Sequence, residues 1–366
     1  VVQALRTGQP IPPPPVLVER AVAVPTLDEF AGLGDRSGWL NDPDESRAAA
    51  QALDVQVFAA TPAGQVAEAD LPKAVYLWQA HERLTGRKPP LKDQNPTGSC
   101  VGFGTTTAVE RTLAAEVAAR QGLAGEFALF SEEVTYAGSR VEANGGTCPI
   151  RRTRDNPDGD GSNGGWAAKF VTRWGLVPKG KYAGEDLTEY SAARARAWNY
   201  SGVPDHLEPV ARLFPVRSAA RVTSWKDAKK ALASGYAGVV CSSQGFARER
   251  DQNGVAAPRG RWAHAMCLDG YHTDASGREF GHIENSWSRV PPAGVPYHTG
   301  PTGWGDPTGA GFWADADVID RMLREGDSYF FSGATGFPRK DLPLDWVVRR
   351  EPDPFARPVL ALRGGR

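Results

Sequence analysis

The residue types that nucleophilic acyl transfer requires occur at widely separated positions in the sequence. Cys100 ends a turn rich in Gly, Pro and Asn that starts at Lys92, and Gln94 lies six residues before the thiol. A helix is predicted directly after Cys100, and the positive end of its dipole favours a thiolate there. His264 begins an apolar strand, and Asn285 lies in the next strand. A thiol, a base, a group that orients the base and an amide donor for the oxyanion are the parts such chemistry needs.

The elements that must position these residues divide the sequence into a helical half and a β-rich half. Apolar spacing predicts a helix over 105–120, followed by helices at 130–136, 167–174 and 186–198. Beyond residue 204 the pattern predicts helices at 225–234 and 315–325 and strands at 215–217, 236–242, 262–271, 280–287 and 329–333. A hairpin turn at 274–277 would place His264 and Asn285 on neighbouring strands. This order indicates an α+β fold with two lobes and a cleft between them.

The N-terminal region is the least regular part of the sequence. Prolines at 11–15 predict an extended segment, and short helices are predicted at 44–52, with Asp42 or Asp44 as N-cap, and at 74–81. We interpret residues 1–85 as an N-terminal arm or pro-like segment, 86–203 as the helical lobe with the nucleophile, 204–338 as the β-rich lobe and 339–366 as a C-terminal tail. The arm either packs on the surface or occludes the cleft.

Composition restricts the classes of function. The sequence has 366 residues, 41% hydrophobic content and a formal net charge of -1, which indicates neither a nucleic-acid nor a membrane partner. Its four cysteines are too few for a disulfide scaffold and lack the spacing of a zinc site, so we expect Cys241 and Cys267 to be buried free thiols. The acidic stretch 155–161 lacks the Glu of a calcium-binding loop, so we interpret it as a solvated turn. We expect no metal and no cofactor.

In order along the chain, several motifs resemble those of the papain-like (C1-type) cysteine peptidases. The resemblance spans about residues 85–338 and rests on the turn from Pro89 to Cys100, Ser131-Glu132-Glu133, Asn163-Gly164-Gly165-Trp166, His264-Ala265-Met266 and Asn285-Ser286-Trp287. It implies a papain-like two-lobe fold with a helical left lobe, an antiparallel β-barrel-like right lobe and the active site in the cleft. It also implies a peptide or protein substrate, and the chain resembles a divergent bacterial or phage-type member.

The resemblance implies a role for each matched residue. Cys100 would attack the substrate carbonyl as a thiolate, with His264 as base and acid and Asn285 orienting the imidazole. The side-chain amide of Gln94 and the backbone N–H of Cys100 would form the oxyanion hole. The substrate-binding positions would be Gly164, Gly165, Trp166, Ala265 and Trp287.

The sequence also departs from the family pattern. Thr97 and Ser162 replace the two cysteines that form a disulfide beside the nucleophile turn, which favours a reducing compartment or a virion over secretion. The turn must then hold its shape through Pro96, Gly98 and packing. The alternative hypothesis is a papain-like structural or assembly protein, of phage type, with weak or no proteolytic activity. Its N-terminal arm or C-terminal tail would then contact a larger protein assembly.

Overall fold

The computed structural model describes residues 38–53, 56–119, 127–154, 156–287, 308–340, 342 and 348–349. The predicted proline-rich stretch and most of the predicted tail lie outside these residues. The helices are α1 Pro43–Ala52, α2 Trp78–Thr85, α3 Cys100–Ala119, α4 Glu132–Arg140, α5 Gly164–Arg173, α6 Ala192–Ser201, α7 Glu208–Ala211, α8 Trp225–Ala233 and α9 Ala316–Arg324. The strands are β1 Gln56–Val57, β2 Ala74–Tyr76, β3 Lys181–Tyr182, β4 Glu185–Asp186, β5 Ser218–Arg221, β6 Gly238–Arg250, β7 Ala256–Thr273, β8 Glu279–Glu284, β9 Gly311–Asp315, β10 Tyr329–Ser332 and β11 Val348–Arg349.

In the described part of the chain, most strands join one large sheet. The strand order is β1-β5-β10-β6-β7-β2-β11, with β8 pairing with β7 and β9 pairing with β8. The β6–β7 and β7–β8 pairs are antiparallel. His264 lies in β7, but Asn285 directly follows β8, because this strand ends at Glu284 and not at the predicted residue 287. The α+β class predicted from the sequence is confirmed. The sheet does not close on itself, so the barrel-like right lobe is wrong as a description of these strands.

Helix α3 is packed between α4 and the sheet. Its glycines allow this close approach: a Cβ on Gly102 would lie 2.8 Å from the Cβ of Tyr136, and one on Gly104 would lie 2.9 Å from Val239 Cγ2. All residues from Cys100 to Thr112 are buried. The packing therefore fixes the N-terminus of α3, with Cys100 as its first residue, against the sheet.

Several predicted elements agree with the structure and others shift. The helix predicted at 44–52 is α1, and Asp42 caps it by accepting hydrogen bonds from two backbone N–H groups. The helix predicted at 74–81 is wrong in its first half, because Ala74–Tyr76 form β2 and pair with β7 before α2 begins. The strand predicted at 215–217 lies instead at Ser218–Arg221. The polar helix predicted at 186–198 begins later and ends later, at Ala192–Ser201.

The cysteines are all free thiols, and Cys241 and Cys267 are buried, as predicted. Among the helices that the structure describes, none has both the length and the apolar character needed to cross a membrane.

Candidate active site

Cys100 lies at the interface between α3 and the sheet. Its side chain is fully buried at the first position of α3. Burial raises the pKa of the thiol to about 12, although backbone N–H groups of Ala265, Gly38 and Val101 act in the opposite direction. The thiol therefore lies beside the β7 backbone, next to the predicted base, and in this closed arrangement it is protonated at neutral pH.

His264 and Asn285 are brought together as the sequence predicts. The Nε2 atom of His264 lies 2.6 Å from Oδ1 of Asn285, and the backbone N–H of Ser286 donates to the same oxygen at 2.7 Å. Because Oδ1 is an acceptor, Nε2 must carry the proton, and Nδ1 then carries a lone pair. This Nδ1 has no hydrogen-bond partner in the described residues, so it is the atom that can take a proton from a thiol.

Aromatic rings enclose the imidazole of His264. The Trp287 ring lies over it, with centroids 4.3 Å apart and planes inclined by 32°, and Trp262 meets it edge-on at 6.0 Å. Burial lowers the pKa of His264 to about 4, although the hydrogen bond that the ring donates to Asn285 acts in the opposite direction. The imidazole is therefore neutral at pH 7 in this structure, as is the thiol of Cys100.

Gln94 connects the nucleophile turn to the segment that holds Asn285. Its Oε1 accepts a hydrogen bond from Ser286 Oγ at 2.7 Å, and its backbone N–H donates to the Ser286 carbonyl at 2.8 Å. Its side-chain N–H donates to the carbonyl of Thr97 at 2.5 Å. The amide predicted to serve the oxyanion is thus beside the nucleophile, and in the closed structure it holds the turn.

A residue that the sequence did not identify, Asp160, braces the nucleophile turn. Its Oδ2 accepts from the backbone N–H of Gly98 at 2.6 Å, and its Oδ1 accepts from the Tyr136 hydroxyl and from Gly161 N–H at 3.2 Å. The prediction of a solvated acidic turn is therefore wrong for Asp160, which is half-buried. Nothing in the local sequence connects it to Gly98, because the two lie 62 residues apart.

Thr97 and Ser162, which stand where the family pattern has two disulfide-bonded cysteines, form hydrogen bonds with different partners. Thr97 Oγ1 shares hydrogen bonds with Ser99 Oγ at 2.7 Å and with the Tyr190 hydroxyl at 2.8 Å. Ser162 Oγ instead shares one with Ser139 Oγ at 2.6 Å. The turn is therefore held by Asp160 and Tyr190, while the contribution expected from the packing of Pro96 and Gly98 stays a prediction.

Gly164 and Gly165 form the N-terminus of α5 and not an open loop. Asn163 caps this helix, and the N–H groups of the two glycines donate to the carboxylate of Asp327 at 2.7 and 2.9 Å. Trp166 is buried beside them and donates from Nε1 to Glu45 of α1 at 3.3 Å. In this closed structure these backbone donors are thus already bound, and their pairing with a substrate stays a prediction.

The cleft beside Cys100 is filled by residues 38–40 of the same chain. The backbone N–H groups of Gly38 and Trp39 donate to the carbonyl of Ala263 at 3.0 and 3.2 Å. On the other side, Ser162 N–H donates to Gly38 O and Leu40 N–H donates to Ser162 O, both at 2.8 Å. The segment is therefore bonded to both walls of the cleft, beside His264 and beside the start of α5.

Trp39 anchors this segment. Its side chain is 2% exposed, and its Nε1 donates to Oδ2 of Asp327 at 2.8 Å. Gly38 must be a glycine in this arrangement, because a Cβ there would lie 2.0 Å from the carbonyl oxygen of Gly98. Helix α1 follows, and its Ser46 accepts a hydrogen bond from Asn163 at 3.0 Å. All the predicted site residues are buried: Cys100, His264, Asn285, Gln94, Gly164, Gly165, Trp166, Ala265 and Trp287.

Among the residues that the structure describes, no three His, Cys, Asp or Glu side chains are clustered so that they could hold a metal ion.

Comparison with solved structures identifies the fold. The chain is similar to xylellain, a cysteine protease from Xylella fastidiosa, with a TM-score of 0.50 and 17% identity over 82% of this chain and 96% of that chain. It is also similar to digestive procathepsin L 3 of the Tenebrio molitor larval midgut, with a TM-score of 0.48 and 15% identity over 83% and 78% of the two chains. No protein-family model and no curated protein matches the sequence. The chain thus has the fold of the papain-like cysteine proteases, and at this level of identity the similarity to xylellain shows the fold alone.

Proposed function

We propose that the chain is a cysteine peptidase that cleaves peptide bonds through an acyl-thioester on Cys100. The observation that carries this proposal is the tautomer of His264. Its Nε2–H is bound to Asn285, which leaves the Nδ1 lone pair as the only basic atom of the ring. A base in this state, one residue from the strand position that contacts the thiol, is what the activation of a cysteine nucleophile requires.

The reaction would proceed in two halves. The Cys100 proton moves to Nδ1 of His264, the thiolate attacks the substrate carbonyl, and the negative charge on oxygen is stabilised by the Cys100 backbone N–H and the Gln94 amide. The imidazolium then gives its proton to the leaving amine as the C–N bond breaks. In the second half His264 takes a proton from water as the water oxygen attacks the thioester carbonyl. The C–S bond then breaks, the imidazolium returns its proton to the sulfur of Cys100, and the carboxylic acid product leaves.

We further propose that the closed structure is a latent form. Burial favours the neutral thiol and the neutral imidazole, as the raised pKa of Cys100 and the lowered pKa of His264 indicate. Withdrawal of residues 38–40 would admit water, lower the cost of charge separation and allow the thiolate–imidazolium pair to form. This gives the predicted N-terminal segment an inhibitory role, in which Trp39 and Asp327 hold the cleft shut.

The second candidate function is the structural or assembly role on the same fold. The observation that favours it is the occluded cleft, since a chain whose site is filled by its own backbone has no need of catalytic competence. In that case residues 38–52 are a permanent part of the domain, and the His264–Asn285 pair is a buried remnant.

The deciding experiment is labelling of Cys100 by an epoxide thiol inactivator in three folded, full-length proteins. These are the wild type, Trp39→Ala and Trp225→Ala, with intact mass and peptide mapping as the readout. Trp225 is the matched control, because it is also a largely buried indole that donates to a carboxylate, that of Glu279 at 2.6 Å. We expect rapid stoichiometric labelling of Trp39→Ala alone, and none when Cys100→Ala is added.

The other outcomes are equally informative. A folded Trp39→Ala protein that is not labelled at Cys100 would overturn the peptidase proposal and leave the assembly role. Wild-type labelling as fast as that of Trp39→Ala would retain the nucleophile and refute latency.

A further inference from the structure

A β-bulge interrupts the pairing of β7 with β8, close to the His264–Asn285 pair. Leu268 pairs with Ile283, but the next pair along the ladder is Gly270 with His282. Asp269 is therefore an extra residue on β7, without a residue opposite it on β8. Such an insertion shifts the side-chain alternation of one strand relative to the other by one position.

The bulge decides which face of the sheet carries His264. If the regular pairing continued from Gly270 opposite His282 with no bulge, Leu268 would lie opposite Glu284, and His264 would share a face with Glu284. With it, Leu268 lies opposite Ile283. Alternation along β7, and along β8 continued one residue past its end at Glu284, then places His264 on the same face as Asn285, because the spacings 264–268 and 283–285 are both even. The 2.6 Å contact between these side chains is thus a consequence of the bulge.

Four buried charged or polar side chains hold the bulge in place. The carboxylate of Asp269 accepts from Arg111 Nε at 3.0 Å, and its other oxygen lies 2.7 Å from Nδ1 of His282. Arg111 also donates through Nη2 to Glu284, the residue directly before Asn285. All four side chains are at most 4% exposed. A single guanidinium therefore bridges the bulge on β7 and the end of β8.

Arg111 belongs to α3, the helix that starts at Cys100. Its two ion pairs consequently connect the helix of Cys100 to β7, which carries His264, and to the last residue of β8, which Asn285 follows. A planar guanidinium suits this bridge, because its fixed N–H directions fit two carboxylates at once, which a lysine ammonium does not reproduce. Truncation of one partner would leave a buried, unpaired charge.

We propose that Arg111, Asp269, His282 and Glu284 form a register lock that positions His264 against Asn285 and both of them against Cys100. The proposal rests on the proposed peptidase function, since it assigns these side chains a positioning role for that site. None of the four touches the substrate or the reacting atoms in this assignment. They affect the reaction only by fixing the face of the sheet on which the His264 imidazole lies and its position relative to Cys100.

The test compares Arg111→Lys with Glu116→Gln, both introduced into the full-length Trp39→Ala protein. Glu116 is the matched control, because it lies on the same helix, is 5% exposed and pairs with Lys340 away from the β7–β8 bulge. A third variant, Arg111→Met with Asp269→Leu and Glu284→Met, removes the charges together, a change that buried ion clusters often tolerate. Two readouts are recorded: the maximal inactivation rate and the half-saturating concentration of the epoxide, and the ¹⁵N NMR signal of the His264 Nε2–H.

For Arg111→Lys we expect the maximal inactivation rate to fall by about 10-fold with the half-saturating concentration unchanged, and for the triple variant by on the order of 10²-fold, since small misplacements of a catalytic group have effects of this size. The hydrogen-bonded His264 Nε2–H signal should weaken in both. The Glu116→Gln protein should keep the inactivation rate and the signal of its parent. If the triple variant does not fold, Arg111→Lys alone decides.

An unchanged Nε2–H signal and an unchanged rate in folded Arg111→Lys would overturn the register lock. An equal fall in Glu116→Gln would also overturn it, because it would reveal general destabilisation. Failure of the parent protein to be labelled would refute the peptidase proposal instead, and the NMR signal would still test the register lock.

Discussion

The turn that carries Cys100 and the β7–β8 strand pair that positions His264 are held by different kinds of interaction. The turn is held by single hydrogen bonds from side chains that reach it from elsewhere, chiefly Asp160 and Tyr190. The β7–β8 pair is held by strand register, which the bulge at Asp269 sets and a buried ion cluster maintains. One half of the site is thus assembled contact by contact, and the other is fixed as a unit.

This difference determines how each half should respond to change. Loss of one hydrogen bond in the turn displaces the thiol locally, so its effects should be graded and roughly separable. A change of register moves every side chain of the strand to the opposite face, so its effects should be abrupt. Gln94 connects the two halves, because its side chain forms hydrogen bonds with Thr97 in the turn and with Ser286 beside Asn285.

The largest effect in the turn is expected for Asp160→Ala. The change removes the acceptor of the Gly98 N–H and of the Tyr136 hydroxyl, and an unsatisfied buried donor costs about 1–3 kcal/mol. We expect the free energy of unfolding to fall by about 4 kcal/mol, measured by urea denaturation, with slower labelling of Cys100 in the Trp39→Ala background. Asp158→Ala, which changes an exposed acid in the same loop, should leave both quantities unaltered. Equal losses in the two variants would show that the loop as a whole matters and that Asp160 is not a specific brace.

A smaller effect is expected for His264 on β7, in the dependence of the free energy of unfolding on pH. Burial lowers the pKa of His264 from 6.5 to about 4, so the folded state keeps the ring neutral where the unfolded chain takes up a proton. The contribution of His264 to the free energy of unfolding is intact above about pH 6.5 and is lost as the pH falls towards 4, by about 3 kcal/mol in total. The measurement is the difference between the wild type and His264→Gln across this range. Burial also lowers the pKa of His81, but this residue is present in both proteins, so its contribution cancels in the difference. If the free energies of unfolding of the two proteins changed with pH in parallel, His264 would not be held neutral in the folded state.

The chemical residues of the site could be predicted from the sequence because local signals mark each of them. A turn before a helix marks Cys100, and two strands joined by a hairpin turn bring His264 and Asn285 to neighbouring positions. The structure accordingly places the latter two 2.6 Å apart. Burial of Cys241 and Cys267 followed equally from the apolar runs that contain them.

The residues that hold the site residues in place could not be predicted, because they form their hydrogen bonds with segments that are distant in the sequence. Asp160 is 62 residues from its partner Gly98, Tyr190 is 93 from Thr97, and Asp327 is 163 from Gly164. The bulge at Asp269 also leaves no local signal, since an extra residue is defined only by what lies opposite it. For the same reason the sequence predicts a helix where the short strand β2 forms, because its own residues contain no signal of the distant strand β7 with which it pairs.

The smallest expected effect, in Tyr190→Phe, tests whether the turn responds in a graded way. The Tyr190 hydroxyl shares hydrogen bonds with Thr97 Oγ1 at 2.8 Å and Ser99 Oγ at 2.9 Å, and these two bond to each other at 2.7 Å without it. The ring would keep its packing on Phe103, with centroids 4.7 Å apart. We therefore expect a loss of only about 1 kcal/mol in the free energy of unfolding and slower, but not abolished, labelling of Cys100.

The matched control for Tyr190→Phe is Tyr182→Phe, which removes a hydroxyl that donates to the carbonyl of Pro178 at 2.7 Å. It should have a similar effect on unfolding and none on labelling. Complete loss of labelling in Tyr190→Phe would contradict the contrast between the two halves, because the turn would then behave as a single unit like the β7–β8 strand pair. Unchanged labelling would leave Asp160 as the brace that sets the position of the thiol.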